Sequence, residues 1–276
     1  MLGAGGPELS TNNVSTSYLL WDNGKARYLI DSGAGTAFHF NQTGANISDL
    51  NAIIISHMHV DHTADLISLI KSSYFEDRSV PLPIYGPTGN KLVPSMSEFM
   101  DRLVGLNGLY PYMNNFIAEA SDESYSKAKY KLLPHDIVPT EHVHEFEGSG
   151  AKFKTADAKH GGVSSLAISI NYKGKEVFIT GDSSGPTYLK PMANSADLII
   201  AHNALPQSYN GPVERLHMKP SRIAEIVSET NAHTLVLSHF LERTATTLEQ
   251  SNTERELSNK FKGDIAFAND FNCYAL

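Results

Sequence analysis

Three histidines and an aspartate fall within six residues, His57-Met-His-Val-Asp-His62. They follow a short β-branched apolar run at residues 52–56. They precede a stretch in which Leu66, Leu69, Ile70 and Tyr74 recur at helical spacing. The motif is therefore expected on a strand-to-helix loop. His57 and His59 are two apart and point the same way on extended backbone, and Asp61 and His62 project from the first helical turn. Four ligand-type side chains then converge on one spot. Neutral imidazole and carboxylate are the ligands zinc takes when no thiolate is available. Thiolate chemistry is excluded here, because the chain has one cysteine, Cys273, and so no intrachain disulfide either.

One cluster cannot close such a site. Further donors stand where later apolar runs end: His160 after residues 151–155, Asp182 after 176–180, and His239 after 234–237. Each is a polar side chain at the point where a buried strand emerges. Other histidines carry less. His142 and His144 alternate in a Glu-rich stretch and read as an exposed strand face; His39, His135 and His233 have no ligand partners in sequence. Cys273, in an apolar stretch near the C-terminus, reads as a buried inert thiol.

The elements that must position these donors run strands, helices, strands, helices. Residues 14–21 and 26–30 flank a hairpin turn at Asp22-Asn-Gly-Lys. Helices are expected over 95–103, over 221–229 with Ser221 as its cap, and over 247–262. Strands are expected over 84–85, 165–172, 198–201 and 265–268. Two sheets packed together with helices outside is the layered solution for this order. No linker or repeat divides the chain, so one domain over residues 1–276 is expected. Residues 105–133 hold Tyr110, Tyr112, Phe116, Tyr125 and Tyr130 without periodicity and read as an aromatic insertion or lid.

With 276 residues the chain is long enough for a sizeable core. Its apolar runs are far shorter than the roughly 20 residues of a bilayer span, so a membrane protein is excluded. The formal charge is −8, from 22 basic and 30 acidic residues. A net negative surface repels phosphate backbones, which argues against nucleic acid as a partner. Residues 1–7 lack the basic start and apolar stretch of a signal peptide. Their glycine-rich turn has only two residues before it, which suggests a truncated terminus. The compartment stays open between cytoplasm and a processed periplasmic or secreted chain, soluble in either case.

Taken together, these motifs resemble the metallo-β-lactamase-fold hydrolase superfamily over nearly the whole chain. Its HxHxDH motif matches residues 57–62 at every position, and its D-x-G-x-G-T loop matches Asp31-Ser-Gly-Ala-Gly-Thr36. His160, Asp182 and His239 match its later ligand positions in order. The resemblance implies an α/β fold, a four-layer αβ/βα sandwich of two mixed sheets with helices on the outer faces and a binuclear metal site at the sheet edges. It implies one ion on His57, His59 and His160, a second on Asp61, His62 and His239, and Asp182 bridging both. Asp31 would support the metal loop. Zinc is expected first, with manganese or iron as alternatives.

Within the superfamily, the branch it is most similar to is that of the RNase Z endonucleases with their phosphodiesterase and arylsulfatase relatives. Residues 1–7 are similar to that branch's Gly-rich opening, and His217-Met-Lys-Pro-Ser221 resembles its His-containing loop. His217 would then contact the transition state or act as general acid, and Asp61 could orient the attacking water. The implied activity is hydrolysis of an ester, first a phosphodiester or other small phosphoester, by a hydroxide shared between two ions. A lactone, sulfate ester or β-lactam would use the same site, and a binding protein with a degenerate site is the non-enzyme alternative. The chain departs from the branch at His202-Asn-Ala-Leu205, where a His-Glu-Ala-Thr segment is usual and Asn203 cannot accept a proton. It also has no Lys/Arg-rich arm. The expected partner is therefore a small, partly apolar molecule contacted by Tyr110 and Tyr112, with nucleic acid not expected and a homodimer allowed.

Overall fold

Alternation along the strands sets the layers of the computed structural model, which describes residues 1–9, 12–117 and 128–276. In β1 (Tyr18–Asp22), β2 (Lys25–Ile30), β3 (Ala52–Ile54), β4 (Leu82–Pro87) and β5 (Leu132–Ile137), neighbours pair in sequence order to give a five-stranded sheet. Only β1 and β2 are antiparallel. Tyr28, Ile30, Ala52 and Ile54 point to one face, into a core shared with the second sheet. Leu29 and Ile53 point to the other, with Phe40, Leu66, Ile70, Met96 and Met100. Those last residues belong to α1 (Thr36–Gln42), α3 (Leu66–Ser72) and α4 (Met96–Val104); the short α2 (Val60–Thr63) precedes α3.

The second sheet holds β6 (His144–Gly148), β7 (Ala151–Asp157), β8 (Leu166–Tyr172), β9 (Lys175–Ile179), β10 (Leu198–His202), β11 (Thr234–Ser238) and β12 (Asp264–Phe267), again in sequence order. Strands β6 to β9 are antiparallel and β9 to β12 parallel. Leu198, Ile200 and Val236 face the first sheet. Ile199, Ala201, Leu235 and Leu237 face Met192, Ile223 and Leu257 of α5 (Lys190–Ser195), α6 (Pro220–Ile226) and α8 (Thr247–Ser258); the short α7 (Glu242–Ala245) precedes α8. Three apolar clusters thus fill the three gaps of a four-layer αβ/βα sandwich. Burial contributes about 1.5–3 kcal/mol for each large apolar side chain.

Two local expectations are corrected. Ser221 does not cap α6: Lys219 is the cap and Pro220 opens the helix. A proline at the first helical position gives up an N–H that has no helical partner in any case. Cys273 is exposed rather than buried, because it lies on a C-terminal tail outside the strands. The aromatic residues of 105–133 also divide. Phe116 and Tyr130 are buried in the core beside α3 and α4, and Tyr110 and Tyr112 are exposed. Tyr125 lies outside the described residues. No described helix is long and apolar enough to cross a membrane.

Candidate metal centre

The donors arrive from the carboxyl ends of strands in both sheets. Asp31 follows β2, and its backbone turns left-handed at φ 56°. Residues His57 and His59 follow β3, and His59 is the N-cap of α2, whose first turn carries Asp61 and His62. From the second sheet, His160 follows β7, Asp182 follows β9, and His239 follows β11 with φ 59°. Glycines let these segments meet. A Cβ on Gly33 would stand 2.1 Å from the Asp61 carbonyl oxygen, and one on Gly6 would stand 2.9 Å from Cε1 of His239.

Two groups of four donors result, His57, His59, His160, Asp182 and Asp61, His62, Asp182, His239, and Asp182 belongs to both. Nδ1 of His59 lies 3.3 Å from Nε2 of His160. In the second group Asp61 Oδ2 is 3.4 Å from His62 Nε2 and 3.2 Å from His239 Nε2. Donors about 2.0–2.2 Å from a tetrahedral ion stand roughly 3.3 Å apart, so this spacing suits a divalent metal. The orphaned atoms agree. Nε2 of His57 and Nε2 of His62 are buried with no hydrogen-bond partner among the described residues.

Behind both orphans, and on His160 as well, the other ring nitrogen is held. His62 Nδ1 meets Asp31 at 2.8 Å, His57 Nδ1 meets Ser56 Oγ at 3.1 Å, and His160 Nδ1 meets the Leu216 carbonyl at 2.9 Å. Outer partners of this kind fix the tautomer and aim the free nitrogen at the ion. Asp31 itself is outside both donor groups and accepts from Ser56 N at 2.7 Å and Ser56 Oγ at 2.8 Å.

Electrostatics favour cations here. Burial pushes His57 and His59 below the usual imidazole range, which keeps them neutral as ligands must be. Burial also opposes charge on His62, but Asp31, Asp61 and Asp182 outweigh it and hold that ring well above its ordinary value. Burial works against ionised Asp182 too, yet His239, His62 and a hydrogen bond from His202 hold its carboxyl well below the carboxylate range. Asp61 and Asp182 therefore stay charged and call for positive charge at the centre.

His217 stands at the edge of this cluster. Its ring is 5.1 Å from that of His160 and 5.6 Å from that of His239. Its Nδ1 is 4.0 Å from Asp182 Oδ2 and buried without a partner among the described residues. Burial lowers its pKa to about 3. It also lines a cavity of about 360 Å³ with Ser184, Glu214, Lys219, Ser221, Arg222 and Glu225. Tyr110 and Tyr112 contact each other, and Tyr112 lies under Lys71; among the described residues neither has a ring contact or hydrogen bond to a donor. One residue of the centre escaped the sequence reading. His202 donates from Nδ1 to Asp182 Oδ1 at 2.7 Å, and burial lowers its pKa to about 4. The signal available was its place as the last residue of an apolar run.

A four-layer αβ/βα sandwich with a His/Asp centre at its strand ends defines a class of metal-dependent hydrolases. A model of the metallo-beta-lactamase superfamily matches residues 11–226, and the chain belongs to that superfamily. Ribonuclease Z of Pseudomonas putida is 24% identical, with 98% of this chain and 94% of the relative covered. Ribonuclease Z of Listeria welshimeri is also 24% identical, with 87% of each covered. Among solved structures, the short form of human tRNase Z superposes with a TM-score of 0.73 at 22% identity, covering 98% of this chain and 96% of the other. YhfI of Bacillus subtilis gives a TM-score of 0.72 at 20% identity, covering 98% and 94%.

These relatives overturn the expectation that nucleic acid is not a partner, since the curated proteins matched along nearly the whole chain are ribonucleases. Net charge misled for a physical reason. The value of −8 sums the whole surface, whereas phosphate responds to the local potential at the site. Lys219 and Arg222 stand beside His217 there, paired with Glu214 and Glu225, so any bound dications would be the largest local charges.

Proposed function

We propose that the protein is a metal-dependent phosphodiesterase acting on RNA, with two divalent ions, zinc first, held by His57, His59 and His160 on one side and Asp61, His62 and His239 on the other, bridged by Asp182. The observation that carries this is the charge of the centre. Without ions, Asp31, Asp61 and Asp182 would repel a phosphodiester. Dications held on the two donor groups would offset these carboxylates and offer a phosphoryl oxygen an electrophilic site. The ribonuclease names of the relatives point to RNA within that class.

When bound, ions of this kind supply a hydroxide at neutral pH and offset charge on a phosphoryl oxygen. Around them the side chains have separate tasks. Asp61, with one oxygen near His62 and His239, orients the attacking water through its carboxylate. His217, with a buried Nδ1 free of protein partners, hydrogen-bonds the phosphate or leaving oxygen. Asp31 and Ser56 hold His62 and His57 in the ligating tautomer.

The reading is tested by metal analysis together with a chromogenic panel: bis-p-nitrophenyl phosphate, p-nitrophenyl sulfate, a lactone and nitrocefin. Two ions per chain with turnover of the phosphodiester alone is expected. Turnover of the sulfate, lactone or β-lactam in its place would overturn the assignment.

A further inference from the structure

His202 is the last residue of β10 and Ser238 the last of β11, and the two face each other in register. Tyr18, the first residue of β1, reaches them from the opposite sheet. Its hydroxyl lies 2.9 Å from His202 Nε2 and 3.1 Å from Ser238 Oγ. All three side chains are buried. A carboxylate only accepts, so His202 Nδ1 carries the proton it gives to Asp182 Oδ1, and Nε2 of the neutral ring is an acceptor. Tyr18 donates to that nitrogen. The same hydroxyl is also directed at Ser238 Oγ, so its one proton is shared between the histidine nitrogen and the serine oxygen. Burial raises the Tyr18 phenol well above its ordinary range, which keeps that proton in place.

The contacts run from Tyr18 through His202 and end on Oδ1 of Asp182, which also lies 3.1 Å from His239 Nε2. The other oxygen, Oδ2, is left facing His160, His62 and His57 at 3.6, 3.7 and 3.8 Å. The chain also spans both sheets, as the donors do. We propose that Tyr18 and His202 are positioning residues that hold the Asp182 carboxylate in its shared orientation and set the gap between the two sheets at the metal centre. This rests on the reading of the centre as a metal site.

The test is zinc affinity, measured by chelator competition on the metal-free protein, for wild type, His202→Asn, His202→Gln and Tyr18→Phe. Melting of each metal-free protein is followed alongside. Asparagine places an amide N–H where Nδ1 stands; glutamine reaches the place of Nε2 and leaves Asp182 without its donor. His202→Gln is expected to weaken zinc binding about 10–100-fold, His202→Asn to retain most of it, and Tyr18→Phe to fall between. Equal losses in the two His202 variants, tracking equal losses in melting temperature, would reduce the role to packing and overturn the proposal. Wild-type affinity in Tyr18→Phe would overturn the part assigned to Tyr18, even if the His202 variants fail to fold. Failure of wild type to bind zinc would remove the metal centre itself, a separate result from wild-type binding with unaffected variants.

Discussion

The Asp31 carboxylate meets His62 Nδ1 at 2.8 Å while its own backbone is held left-handed at φ 56°. That conformation costs an L-residue about 1–2 kcal/mol, although aspartate tolerates it better than most. Three further contacts with Ser56 and the Ile54 carbonyl hold the turn. A strained turn is thus kept where it orients a ligand. Asp31→Ala should weaken the ion shared by Asp61, His62 and His239 by about 10–100-fold. Metal analysis after dialysis should find the ion on His57, His59 and His160 retained; retention of both would deny Asp31 this role.

His217 is near the donors but in neither group. His217→Ala should therefore keep its metal and lose turnover, by about 10²–10⁴-fold in kcat if the imidazole assists proton movement. Metal content and steady-state kinetics on one preparation separate the outcomes. Loss of metal would make it a ligand, and an unchanged rate would make it a bystander.

Removal of metal leaves buried imidazole nitrogens without partners and three carboxylates close together. A chelated protein should be inactive and melt earlier, and added zinc or manganese should restore both properties. Saturation at 100 times Kd corresponds to about 2.7 kcal/mol of stabilisation. A melting temperature indifferent to zinc would show that the centre takes up no ion.

The seven candidate donors stood out because four crowd into residues 57–62 and because His160, Asp182 and His239 come just past apolar runs, where a polar side chain leaves a sheet. His202 did not, because it is the last residue of its strand rather than the first beyond it, and its partner Tyr18 is distant in sequence. Strand β5 was missed because Pro134 interrupts it; proline is tolerated there because β5 is an edge strand. Helix α1 was missed because Gly35 precedes it without a side-chain cap. The layers could be read from the order of strands and helices, and Leu198 to Ala201 and Leu235 to Leu237 are buried on both faces as that order requires. The nucleic-acid question could not be read from a summed charge, because the potential that matters is local to the donors.

The most direct measurement is cleavage of an end-labelled RNA with a single-stranded 3′ extension by the zinc-loaded protein, with Asp182→Ala in parallel. The expected result is a discrete product in wild type, and neither product nor a full complement of two ions in the variant. Intact RNA from wild type carrying two ions, or full metal and full cleavage in Asp182→Ala, would contradict an RNA phosphodiesterase built around Asp182.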